Sequence, residues 1–328
     1  FYSKQITFAL APFIVTVISF IFWYLKSRHR GTSFFAKRTR SNVTTPKDKF
    51  ILTICTIIYL LFPTLCTQSF EIFHCRSVAG QQYLAVDMEE PCYEGRHLTM
   101  VLLLGVSQLL AFVLGLPILV LLFLRRNKYL DIGDDQENGG LKKHSTIVRY
   151  GLFYEAYKED TYYWEIVITW RKIMIVALSV FGGEMGIERQ VQSALAVLLV
   201  CISLEIAGDP FQLITNRFRI LSRLEKATLF VQWATMWCGS MIYASQDRAS
   251  KGFVVFLSFV VAVLNIGMLL WLGVRLLLEC NQERQDENRT RRERGGDNAS
   301  STFRRKMSES SLFSLLTERS KAVMFSSL

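Results

Sequence analysis

The residues best placed to do chemistry are charges set inside apolar runs. Glu165, Arg171 and Lys172 lie in WEIVITWRKIMIVALSVF, and Glu205 lies in VLLVCISLEIAG. In hydrocarbon each such charge costs roughly 2.5–3.5 kcal/mol on insertion scales unless it is paired or hydrated. The pattern therefore predicts an intramembrane pair in which Glu205 meets Arg171 or Lys172, the alternative being that the two cations snorkel to the headgroups. Tyr154, Tyr157, Tyr162, Tyr163 and Trp164 precede them. Tyr and Trp collect at headgroup level, so this cluster reads as an interfacial belt, with a lipid or ligand pocket as the second reading.

Other chemistries find little support. The four His and scattered Ser and Cys assemble no nucleophile, base and orienter, and no Gly-rich phosphate loop is present, so neither an enzyme nor a cofactor is expected. Two adjacent cations do not make the three-residue repeat of a voltage sensor. DIGDDQENGG lacks the ligand spacing of an EF-hand and reads as a solvated loop, while His74 and His97 give weak grounds for zinc, so no metal is expected. Cys75 and Cys92 stand in a short polar segment and predict a disulfide in an oxidising compartment. The remaining cysteines sit in or beside apolar runs and read as packing residues.

The elements that must position these residues are apolar runs of about twenty, the length that crosses roughly 30 Å of hydrocarbon. The chain has 328 residues, 51% of them hydrophobic. Runs are placed at about 6–25, 50–70, 98–124, 164–182, 191–207, 227–244 and 253–278. The predicted fold class is an all-α, polytopic transmembrane helix bundle of seven helices. Residues 1–278 form its transmembrane domain, with a short outer cysteine loop at 71–96. Residues 279–328 form a basic, largely unordered tail whose end could make an amphipathic helix. Between the fifth and sixth runs, Arg217, Arg219, Arg223 and Lys226 alternate with apolar residues and suggest a short helix lying along the interface.

The net charge of +10 sits in connecting segments rather than on one nucleic-acid-binding face, and nucleic acid is not an expected partner. About twenty-nine of the 38 Lys and Arg fall on one side of the seven-helix scheme, which by the positive-inside rule places the N-terminus outside and the C-terminus in the cytoplasm. The chain starts at Phe1 without Met or a legible signal peptide, and an N-terminal continuation is expected. In the tail, Arg304, Arg305 and Lys306 precede Ser308. Phosphorylation of Ser308 would weaken the attraction of this basic segment to anionic inner-leaflet lipid.

Two stretches, YGLFYEAYKEDTYYWEIVITWRK and FHCRSVAGQQYLAVDMEEPCYEGRH, carry a resemblance. They are similar to the C-terminal membrane region of large, cysteine-rich, repeat-bearing surface proteins of protists and algae, a region that itself resembles the fungal and polycystin-related TRP-like membrane proteins. The resemblance implies a large ectodomain before Phe1 and a multi-pass protein of the plasma or ciliary membrane. It also implies a role in anchoring extracellular structures or in cation conduction, with its own ectodomain, extracellular structural proteins, membrane lipids and a homo- or hetero-oligomeric neighbour as partners. The chain departs from a TRP channel where the pore should be, since the link from Ala244 to Phe253 is too short for a re-entrant filter and holds only Asp247 as an acidic candidate. The two functions carried forward are a non-enzymatic anchoring module that transmits or conducts, and a seven-helix receptor that couples an outer ligand to a cytoplasmic partner.

Overall fold

The computed structural model describes residues 1–29, 45–133, 141, 144–212, 216–245 and 251–294. Helices dominate, in the order α1 (Tyr2–His29), α2 (Pro46–Glu71), α3 (the span Gly95–Lys128), α4 (His144–Tyr150), α5 (Trp164–Phe181), α6 (Ile187–Gly208), α7 (Asn216–Ala244) and α8 (Lys251–Arg294). Six described helices are long and apolar enough to cross a membrane, namely α1, α2, α3, α5 with the 3-10 turn that follows it, α6, and α8 from Lys251 to Arg275. α7 has the length but carries charged residues in its first turns and Gln, Trp, Thr and Ser in the remainder, which lower its apolar character.

The chain divides into two compact units, residues 1–201 with 207–212, and residues 202–206 with 213–328. In the first, α1 and α2 pack antiparallel and are pinned at both ends. Gln5 Nε2 donates to the Gln68 carbonyl at 2.9 Å, and Trp23 Nε1 donates to Thr53 Oγ1 at 3.1 Å. The core of this unit joins Phe62, Cys66 and Phe70 of α2 to Val113 of α3 and to Ile173, Val176 and Val180 of α5. α3 is not uniformly α-helical, because Val101–Gly105 and Leu109–Gly115 form π turns. Gly105 lets it approach the exit of α2, since a Cβ there would lie 2.9 Å from Ile72 Cγ2.

The polar segment between α2 and α3 is a three-stranded antiparallel sheet, an element the all-α expectation lacked. β1 (Cys75–Val78) pairs with β2 (Gln81–Leu84), and β2 pairs with β3 (Asp87–Pro91). Ala79 and Gly80 both have positive φ, 53° and 88°, as a two-residue hairpin of this twist requires. The Cys75–Cys92 disulfide closes the sheet, as the sequence predicts. His97, fully buried, ties it to the helices. Its Nδ1 accepts from the Tyr93 amide at 2.9 Å, so Nε2 carries the hydrogen and donates to the Ile72 carbonyl at 3.2 Å.

In the second unit α7 and α8 pack on each other, with Asn265 Nδ2 donating to Thr235 Oγ1 at 2.9 Å. The basic residues expected to form a separate interfacial helix instead occupy the first turns of the continuous α7. α8 runs on to Arg294, so the boundary expected at 278 falls inside a helix.

Candidate functional site

The site lies in the first unit, where α2, α3, α4 and α5 converge on a short, folded loop. That loop joins α4 to α5 and is held against residues 208–212 by backbone pairing. Lys158 N donates to the Pro210 carbonyl at 2.8 Å, and Gln212 N donates to the Ala156 carbonyl at 3.0 Å. Lys158 Nζ reaches Asp209 at 3.0 Å, and the rings of Tyr157 and Phe211 lie 5.2 Å apart. Gly208 lets α6 end against the Trp164 indole, which any Cβ at that position would overlap. The loop is thereby fixed on a neighbouring segment, and it carries the Tyr157 hydroxyl inward.

On α5, Glu165 and Lys172 are seven positions apart, two helical turns, so they share a face. Both are 2% exposed. Tyr59, in the middle of α2, stands between them. Its hydroxyl donates to Glu165 Oε1 at 2.5 Å and accepts from Lys172 Nζ at 3.1 Å. The ammonium also lies 4.2 Å from the centre of the Tyr59 ring, where the ring's negative face attracts a cation. The other carboxylate oxygen, Oε2, accepts from the Tyr157 hydroxyl at 2.7 Å. A carboxylate and an ammonium are thus linked through one phenol, with a second phenol on the carboxylate. The O–H donors to the carboxylate are of the short, charge-assisted kind.

Beside this chain of groups is a cavity of about 370 Å³, within the range of small-molecule sites. Its walls are mostly apolar side chains of α2, α3 and α5, and Glu165, Lys172 and Tyr59 lie at its polar edge. Tyr150, at the end of α4, also lines it, with its ring 4.3 Å from that of Phe123. Burial pushes the Tyr150 phenol up from its ordinary value, Cys55 adds to the rise and Arg149 opposes it.

The aromatic cluster is divided by the fold. Tyr154, Tyr157 and Trp164 are buried, and Tyr154 donates to the Leu141 carbonyl at 2.8 Å. Tyr163 is 40% exposed, and Tyr162 carries Lys128 Nζ over its ring at 4.4 Å. Arg171 is buried on α5, and Glu205 is buried in the second unit. Ser308 lies outside the described residues.

Sequence reasoning missed Tyr59 and gave Glu165 no role. The seven-residue spacing of Glu165 and Lys172 was a usable signal, because opposite charges on one helical face can be bridged by a single side chain. A lone Tyr inside the apolar run 50–70 was the other.

No family model matches the chain, and no solved structure matches it. It is similar to Cysteine repeat modular protein A of Toxoplasma gondii, at 22% identity over 176 residues. The match covers 53% of this chain and 5% of that protein, so the chain spans a small part of the relative's length.

Proposed function

We propose that this chain is a non-enzymatic, TRP-like integral membrane module of a larger surface protein, which anchors an extracellular region and transmits or conducts through its helices. The observation that carries this reading is the hydrogen-bonded Glu165–Tyr59–Lys172 group among apolar spans. Buried charges that cancel through hydrogen bonds suit a bundle that must be stable in hydrocarbon, where an uncompensated charge is costly. The similarity to a cysteine repeat protein, of which the chain covers 5%, supports membership of a larger protein, and the disulfide-closed sheet suits an oxidising, extracellular face.

In this reading α7 is the seventh span, the sheet is outside, and the C-terminal tail is cytoplasmic, where it meets anionic lipid and is released by phosphorylation of Ser308. The plasma or ciliary membrane holds the assembly as a homo- or hetero-oligomer. Labelling of single cysteines on intact cells tests the orientation. Met88→Cys on β3 should react with an impermeant maleimide directly, and Arg125→Cys at the far end of α3 only after permeabilisation. The reverse pattern would invert the topology. Cation flux in liposomes holding the purified chain tests conduction, and its absence under every stimulus would leave the anchor alone. The cavity beside Glu165 favours the receptor as the second reading, with ligand-dependent capture of a cytoplasmic partner as its test.

A further inference from the structure

The cavity in the first unit has features that select its occupant. It lies along membrane-spanning segments, and Leu119 in its wall is 62% exposed, so its mouth opens sideways to what would be lipid. Its ionic groups are already matched to each other through Tyr59, so a charged headgroup would find no net opposite charge. Tyr150 is different. Its ring is packed on Phe123, and its hydroxyl has no hydrogen-bond partner among the described residues. Along α2 the lining runs from Cys55 to Phe62 and along α3 from Leu116 to Phe123, in each case two turns or about 10 Å. An acyl chain extended through one leaflet needs about 15 Å, half of a 30 Å core. A short cavity walled by Tyr59, Phe62, Phe123 and Phe153 suits a flat, rigid ring system, which also loses little conformational entropy on binding.

We infer that this cavity is a binding site for a membrane sterol, whose ring nucleus fills the space between α2, α3 and α5 and whose single hydroxyl bonds to Tyr150. The hydroxyl end faces the Asp48–Arg149 end of the unit, since Tyr150 directly follows Arg149, and the rings point toward Phe62. Neutral lipids with extended chains fit less well, and anionic lipids gain nothing from the compensated Glu165 and Lys172.

The test uses the full chain in lipid nanodiscs with a photoreactive, clickable sterol probe. Saturable labelling on α2 or α3 peptides is expected, displaced by unlabelled sterol and not by diacylglycerol. Val120→Trp fills the cavity and should cut labelling at least 10-fold, while Phe13→Trp, at an exposed apolar position outside the cavity, should leave it unchanged. Tyr150→Phe keeps the shape and should weaken sterol binding about 3- to 10-fold, the worth of one hydrogen bond, while binding of a 3-deoxysterol stays the same. This second variant decides the matter if Val120→Trp fails to fold. Labelling that is not saturable, that diacylglycerol displaces equally, or that both variants leave intact would overturn the inference. The proposal rests on the membrane-spanning reading, and resistance of the same chain to carbonate extraction reads that separately. An inserted chain without saturable labelling thus defeats the sterol site alone.

Discussion

Two buried carboxylates in the first unit are satisfied in opposite ways. Asp48, fully buried in the first turn of α2, is met directly by a charge, with Arg149 Nε 2.6 Å from Oδ1. Its Oδ2 accepts from the Thr45 amide at 2.8 Å, and Thr45 Oγ1 accepts in return from the Asp48 amide, which completes a capping box at the helix start. Glu165 is met by two neutral phenols, and its countercharge Lys172 stands one hydroxyl away. The side chain of Arg149 is 34% exposed, whereas Lys172 is 2% exposed. The first arrangement is a helix-terminal ion pair within reach of solvent, and the second is a sealed group. Where water is near, a carboxylate can rely on an exposed cation. Where it is not, the two charges must be closed off together by groups that donate and accept at fixed positions.

This contrast makes graded predictions. Glu165→Ala should have the largest effect, about 3–5 kcal/mol of stability, because it removes the carboxylate that accepts from two phenols and stands one hydroxyl away from a buried ammonium. The apparent Tm of the purified chain in detergent reads it, and a loss under 1 kcal/mol would make the sealed group ordinary. Arg149→Ala should cost about 1.5–3 kcal/mol, the range for a hydrogen bond to a charged group. A loss equal to that of Glu165→Ala would erase the distinction between the two sites. Thr45→Ala should cost about 1 kcal/mol as a lost helix cap. It should also leave the Arg149→Ala effect nearly unchanged, which a double mutant measures.

How much of this could be read in advance follows from the range over which each feature is specified. Six of the seven expected spans were legible because membrane thickness imposes a run length on local sequence, and the Cys75–Cys92 bond because two cysteines share one short polar segment. The sheet was not legible, since strands of four and five residues with mostly exposed side chains lack an apolar face to mark them. The continuation of α8 was hidden by its polarity. The segment after Leu278 is rich in Glu, Gln and Arg, which read as unordered but are strong helix formers. The Glu165 group was least legible, because its bridging residue is 106 positions away, and only the packing of α2 on α5 brings Tyr59 to it. A neutral phenol as the bridge between two charges leaves no mark in a charge pattern.

The most direct measurement is a double-mutant cycle on Glu165→Gln and Lys172→Met, followed by chemical or thermal unfolding, carried out once in the parent chain and once with Tyr59→Phe. If Tyr59 links the charges, the two substitutions should show a coupling of about 1–3 kcal/mol in the parent, falling to a small fraction of that value when the hydroxyl is removed. Additive effects in the parent chain, or a coupling that Tyr59→Phe leaves intact, would contradict a sealed group bridged by Tyr59.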